Sequence, residues 1–578
     1  MPEGNENSTV ASYLVSRLEE LGIEHLFNVA GSYCSGLLTE LTKGHRLGAV
    51  FTTYEMEAAY AADAYARIRG YGAICGTYGV GALSALNGIA GAFVERCPVV
   101  VINGGPSSKQ LELQLKYGIM FLHSTGPFKI DFPVYSQVTV AAVVISRAED
   151  APSKIDEILI ACMTHRRPVY LEISQDLWHQ PCPSPTKPLQ TPIASVNDGS
   201  LSECVAEVTA SLARAQRPIL WAGEEVDRWD LHDEFDELLS VSGLPYVTTL
   251  AGKAILPETT KGFLGVYDGR FATTDLQETI GKADLVLALG TAITDFVGDI
   301  VSEDYGCMVL ASNDGVRIGH HVYADVKLRH FVVRLIEQLR RQEAPPSWAS
   351  VAAASPQQDV AVCDLKTPLT FDLLFANVSE FVNGKRVIAD TGLSLFASAE
   401  MPISARGGYI SQSIWMSIGY SVGASVGAAC AGSERPVVFV GDTAFREGPQ
   451  ALSTLVRYRL PAVICVINNE IMGIQQFMGN PRYYQDIGAQ PDYYNVLPRW
   501  DYGALAASFG ARYARASTLA ELHKALQIAA EIVDGPILID VVLAQRDLPA
   551  VVRKAIGHDV PQEIRGEFDG LFVLRATH

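Results

Sequence analysis

Short runs of β-branched and aliphatic residues recur along the chain, apolar at consecutive positions and separated by stretches with helical spacing. The clearest are Val99-Val100-Val101-Ile102-Asn103, Ile219-Leu220-Trp221-Ala222-Gly223, Leu285-Val286-Leu287-Ala288-Leu289-Gly290, Val437-Val438-Phe439-Val440 and Val463-Ile464-Cys465-Val466-Ile467. Runs apolar on both faces suit parallel strands covered by helices on either side. Ala451-Leu452-Ser453-Thr454-Leu455 supplies a helix between the last two strands, and Gly419 through Gly427 reads as a tightly packed glycine-rich helix. Two proline-punctuated stretches interrupt the alternation: Pro181-Cys182-Pro183-Ser184-Pro185-Thr186-Lys187-Pro188, and a segment running from Glu343 to Gln357. Proline cannot continue a helix or a central strand, so both read as linkers. The pattern predicts an α/β chain of three successive doubly wound parallel-sheet domains, at 1–182, 190–343 and 358–578.

Bulk properties narrow the function. At 578 residues the chain exceeds what one hydrophobic core organises. No apolar run reaches bilayer length, and Met1-Pro2-Glu3-Gly4-Asn5 lacks the basic-then-apolar layout of a signal peptide. Ten cysteines without Cys-x-x-Cys spacing suit buried thiols in a reducing compartment. A net charge of −19 disfavours broad contact with nucleic-acid phosphates. The expectation is a cytoplasmic protein with neither a membrane nor a nucleic-acid partner.

Candidate chemistry sits at the ends of the last two strands. One closes on Gly441-Asp442-Thr443 and the next on Asn468-Asn469. A carboxylate and an amide oxygen are hard ligands suited to magnesium. A helix starting after Asp442 would offer free N–H groups to phosphate oxygens. No strand opens onto Gly-x-Gly-x-x-Gly with an acid at the expected distance, which weighs against a dinucleotide-binding dehydrogenase.

Four separated segments resemble one family, the thiamine diphosphate (ThDP)-dependent enzymes, and most of all their pyruvate and indolepyruvate decarboxylase branch. They are Tyr54 to Arg67, Thr77 to Gly91, Gln412 to Tyr420, and the Asp442–Asn469 unit. The resemblance spans nearly the whole chain, is weakest in the middle block, and implies ThDP and Mg2+ as cofactors. It places Glu55 against the cofactor's pyrimidine ring, where a carboxylate favours the reactive tautomer. Ile418 becomes the wedge between the two cofactor rings, and the Met416 carbonyl the partner of the pyrimidine amino group. Thr77 falls near the pyrimidine and Thr391 near the diphosphate. Asp442, Asn469 and the Ile471 carbonyl become the magnesium ligands, with Thr443 and Ala444 beside the diphosphate. Three residues depart from the family pattern, since glycine normally stands at both Thr443 and Ile471 and often at Met416, whose carbonyl needs no particular side chain. A β-branched residue at 443 restricts the backbone and can crowd the phosphate; alternatively its hydroxyl replaces a serine that relatives carry at the position of Ala444. Each of these residues also has a plainer reading, with Glu55 a solvated helix glutamate like Glu57 and Ile418 an ordinary core residue.

The substrate side departs further. Simple decarboxylases of this branch carry an aspartate, two adjacent histidines and a glutamate for proton handling. The resemblance puts Ser32 at the aspartate, His123 and Ser124 at the histidines, and Gln475 at the glutamate. A positioned general acid contributes roughly 10²–10⁴-fold to a proton transfer. Its loss slows protonation of the acyl-anion equivalent left after carbon dioxide departs, leaving it free to meet a second carbonyl. The expected activity is therefore decarboxylation of a 2-oxo acid donor with ligation to a carbonyl acceptor, giving an acyloin-type product. A plain decarboxylase releasing an aldehyde and a catalytically silent scaffold are the alternatives, and an acetolactate synthase-like enzyme fits the segments less well. Phe121, Phe128, Ile474 and Phe477 hint at an aromatic or branched donor. The resemblance also implies a homodimer or homotetramer, with each cofactor held between two subunits.

Overall fold

The computed structural model describes residues 8–124, 131–192, 196–298, 305–341, 364–432 and 434–555. Three sheets follow one another along the chain. The first has six parallel strands, from His25–Asn28 to Val169–Ser174, with Val99–Gly105 buried near its centre. The third also has six parallel strands, with Pro436–Gly441 and Ala462–Asn468 adjacent in its middle. The second is parallel through Pro218–Ala222, Leu285–Leu289 and Met308–Ser312, then adds the antiparallel edge strands Gly315–Ile318 and His321–Tyr323. Each sheet is flanked by helices, so the three-unit α/β expectation holds, and the hairpin is the second sheet's addition. Of the two expected linkers, the first contributes Pro181–Cys182, which pairs antiparallel with Ser8–Thr9 outside the main sheets. The second lies outside the described residues.

The first and third units meet along two helices. Glu55–Arg69 is alanine-rich, with Glu55 and Glu57 in its first turn and Arg67 and Arg69 in its last, matching the helix dipole. It stops at Gly70, whose φ of 91° is left-handed. Its partner is the predicted glycine-rich helix, Tyr420–Ala431. A Cβ at Gly427 would stand 1.8 Å from the Ala61 carbonyl oxygen. Only glycine permits that approach. Inside the seam Arg67 pairs with Asp63 at 2.7 Å, Tyr420 donates to Asp63 at 2.5 Å, and Arg67 donates to the Ser411 carbonyl at 2.9 Å. One apolar core therefore runs through both units, while the middle unit keeps cores of its own.

The dipeptide Glu95-Arg96 touches all three units. The Glu95 carboxylate accepts the Ile414 and Trp415 amides at 2.7 and 3.1 Å. Its carbonyl accepts from Arg228 at 3.2 Å, and Arg96 pairs with Glu225. The loop carrying Met416 and Ile418 is thus fixed to the first unit from below.

Candidate active site

The carboxyl ends of Pro436–Gly441 and Ala462–Asn468 lie side by side, with Gly441 opposite Ile467, so Asp442 and Asn469 emerge together where open α/β sheets bind ligands. Asp442 is buried and ties the two strand ends. One carboxylate oxygen accepts the Thr443 amide at 2.8 Å and the other the Glu470 amide at 2.7 Å. Burial pushes its carboxyl up to about 6. Asn469 and Ile471 are also buried, and Glu470 between them takes a left-handed φ of 57°. A narrow cleft of about 40 Å³ runs past these residues, lined also by Thr391, Ile418, Thr443, Ala444 and Ile474. The cleft gathers every residue assigned to the metal and diphosphate.

Three details differ from expectation. The helix after Asp442 is a single turn, Asp442–Phe445, and Asp442 itself takes its Thr443 amide, so no long helix presents a row of free N–H groups. Thr443 sits in that right-handed turn, so its branched side chain imposes no backbone strain; its hydroxyl is buried without a hydrogen-bond partner. Met416 has a φ of 56°, a conformation glycine adopts freely, which gives a backbone reason for glycine at that position in relatives.

The N-terminal residues gather on a different surface. Glu55 opens its helix and is half-buried; a Cβ on Gly81 would lie 3.1 Å from its Oε1 and 3.6 Å from the Thr77 Cβ. The Thr77 hydroxyl packs so closely on Gly31 that a Cβ there would come within 2.0 Å. Ser32, the next residue, is exposed. His123 is exposed with a φ of 69°, and its carbonyl rests on Gly79. Its ring stands edge-on to Tyr33 and Tyr78, 6.0 and 6.2 Å away. Tyr78 donates to the Leu122 carbonyl at 2.5 Å, and the Ser124 amide to Phe121 at 3.2 Å. Ser32, Glu55, Thr77 and His123 are thus brought together around two glycine turns. Phe128 lies outside the described residues.

Other expectations need adjusting. Glu57 is not solvated: it is buried and accepts both the amide and the hydroxyl of Thr53. Gln475, on Gly473–Gly479, is exposed and does not line the cleft. Phe477 packs into the C-terminal core and leaves Ile474 as the apolar side chain of that turn at the cleft.

Comparison with known proteins gives a consistent answer. Family models match in three places: the N-terminal TPP binding domain of thiamine pyrophosphate enzymes over residues 8–125, their central domain over 205–339, and their C-terminal TPP binding domain over 390–541. The chain is 30% identical over 519 residues to a pyruvate decarboxylase of Candida glabrata, covering 87% of this chain and 89% of that protein. It is 30% identical over 560 residues to an alpha-keto-acid decarboxylase of Mycobacterium leprae, covering 94% of each. A pyruvate decarboxylase of Hanseniaspora uvarum is 31% identical over 520 residues, covering 87% of this chain and 89% of that protein. The chain belongs to the thiamine pyrophosphate (thiamine diphosphate) enzymes, in their pyruvate decarboxylase-like branch.

Membership brings ThDP with Mg2+ as the cofactor, and the residues present fit it. A buried carboxyl held near 6 is one that a cation would keep ionised, and the Thr443 hydroxyl, on a residue lining the cleft beside Asp442, is a buried donor without a partner. Three further residues of this ThDP enzyme escaped the sequence reading. Asp390 is fully buried and accepts the Gly419 and Ser421 amides at 3.0 and 2.8 Å, fixing the backbone just after Ile418; its adjacency to Thr391 was the available signal. Asp131 accepts the Gly79 amide at 2.6 Å from beneath the His123 turn. Asn87 reaches across to Trp415 and Ser417. Asn87 falls inside the matching Thr77–Gly91 segment, and nothing in the sequence marks Asp131.

Proposed function

We propose that this enzyme decarboxylates a 2-oxo acid and transfers the resulting acyl-anion equivalent to a carbonyl acceptor, making an acyloin-type product. Decarboxylation is supported by the named activities of its relatives. Ligation is carried by one feature: Ser32, whose neighbour Gly31 packs on Thr77, presents an exposed hydroxyl at the position where the resemblance implies a proton-donating aspartate that would speed aldehyde release. When bound, ThDP supplies the carbanion chemistry. Glu55 would hold a proton at the pyrimidine, the Met416 carbonyl would accept from its amino group, and Ile418, in the cleft wall, would pack against the cofactor. Asp442, Asn469 and the Ile471 carbonyl hold Mg2+. His123, Ser32 and Ser124 orient carbonyl oxygens, and Ile474 favours a branched or aromatic donor. The names of the relatives favour a second reading, a plain decarboxylase releasing aldehyde. Product analysis by mass spectrometry distinguishes them: with a panel of 2-oxo acids, ligated product rising with added acceptor supports ligation. Aldehyde formed equally with and without acceptor overturns it.

The reading includes a homodimer or homotetramer. The described cleft is lined by C-terminal residues alone, and Glu55 and His123 are not among them. Large apolar side chains stand exposed beside each half: Tyr117, Met120 and Leu122 near His123, and Tyr493 and Tyr494 in the segment whose Asn495 and Val496 pair with Met472 and Ile471. A second copy covering both faces would complete the site. Domain limits at 1–182, 190–343 and 358–578 and a cytoplasmic location belong to the same reading.

A further inference from the structure

We propose that Asn87 is a positioning residue for the cofactor, setting the backbone of Met416 from the opposite unit. Asn87 lies on Val80–Val94, the helix that begins at the Gly79 and Gly81 turns. Its amide is used on both sides: Oδ1 accepts the Trp415 indole N–H at 2.9 Å, while Nδ2 donates to the Ser417 hydroxyl at 2.9 Å and to the Tyr60 hydroxyl at 3.1 Å. Tyr60 and Ser417 are joined by a hydrogen bond of 2.9 Å, so the contacts close into a ring. Trp415 and Ser417 are the two neighbours of Met416, the residue with a φ of 56°.

A left-handed φ at a residue with a side chain is unfavourable and persists only where its surroundings over-determine it. The surroundings here are a clamp on each side. Glu95 accepts the Trp415 amide and Asn87 accepts the Trp415 indole, so both ends of that residue are fixed. Beyond Met416, Ser417 is fixed by Asn87 and Tyr60, and Gly419 by Asp390. The Met416 peptide can relax toward ordinary φ only by breaking the Asn87 ring. Its carbonyl direction is therefore set by a side chain 329 residues away in sequence, and a cleft wall of the third unit inherits its geometry from a helix of the first.

The inference rests on Met416 and Ile418 being the cofactor-shaping residues. The test measures ThDP affinity by titration calorimetry, the rate of proton exchange at the cofactor's C2 by quenched NMR, and the melting temperature of the cofactor-free protein. Asn87→Leu should slow C2 exchange at least tenfold and weaken ThDP binding several-fold. Asn87→Asp, which keeps an acceptor for Trp415 and lets the two hydroxyls donate, should fall between Leu and the parent. Trp415→Phe, which removes only the indole donor, should slow exchange by a smaller factor. A lower melting temperature with unchanged exchange in bound cofactor, across all three variants, would reduce Asn87 to a packing role and overturn the proposal. Ile418→Ala separates the two readings. If it slows exchange while the Asn87 variants do not, the wedge stands and the Asn87 proposal fails; if neither slows it, both fail.

Discussion

The two halves of the site are built to different standards of completeness. On the C-terminal side Asp442, Asn469 and Ile471 are almost inaccessible, their backbone is cross-tied between strand ends, and their cleft exists within one chain. On the N-terminal side Glu55 is half-buried, and Ser32 and His123 lie on an exposed surface with large apolar neighbours. A metal and diphosphate site must be pre-organised, because each ligand works only at a fixed distance from its ion. A proton-handling surface gains its low dielectric from whatever closes over it. On the proposed reading the difference in burial follows a division of labour: the C-terminal half would hold the cofactor, and the N-terminal half would act once a second copy covers it.

Substitutions on the two sides should therefore fail differently. Glu55→Gln is expected to lower turnover by roughly 10²-fold or more while ThDP affinity and melting temperature stay near those of the parent; steady-state kinetics beside calorimetry checks it. Asp442→Asn should act the other way, weakening Mg2+-dependent ThDP binding by about 10–100-fold and restoring part of the turnover at high cofactor. Acidity should separate the halves as well. The Asp442 carboxyl titrates at about 6 against an ordinary 3.8, so between those values the folded metal-free chain holds a proton that the unfolded chain has released. That proton stabilises the metal-free fold at the acid end and is lost as pH rises. Mg2+ must displace it, so the rise in melting temperature caused by ThDP and Mg2+ should shrink as pH falls below about 6. The same comparison in Asp442→Asn should be nearly flat. The smallest effect is in product choice: Ser32→Asp should raise the aldehyde-to-ligation ratio a few-fold, measured by mass spectrometry, with total donor consumption little changed.

Much of the C-terminal half was legible because its signal is local. Consecutive apolar residues fix buried parallel strands, and Asp442 and Asn469 follow directly on the strand ends. The four matching segments pointed to Ile418, which lines the cleft, and to Glu55 and Thr77, which meet at Gly81. What escaped depends on packing between distant segments. The burial of Glu57 comes from the seam between Glu55–Arg69 and Tyr420–Ala431, which no spacing encodes. The left-handed Met416, the Asn87 ring and the Asp131 contact to Gly79 each join residues tens to hundreds of positions apart. Phe477 looked like a pocket residue because its neighbours are, but the short Gly473–Gly479 helix turns it into the core and leaves Ile474 at the cleft.

The claim that one site needs two chains is tested most directly by mixing. Glu55→Gln and Asp442→Asn are each expected to be nearly inactive at moderate cofactor, and they damage opposite halves. Dissociated, combined in equal amounts and reassembled, they would form mixed dimers in which one of the two sites pairs an intact Glu55 with an intact Asp442. Recovery of about a quarter of the parent activity, from a two-fold symmetric assembly with half its dimers mixed, is the expected result. Activity no greater than the sum of the two separate variants would place both halves of the site in a single chain and contradict the account.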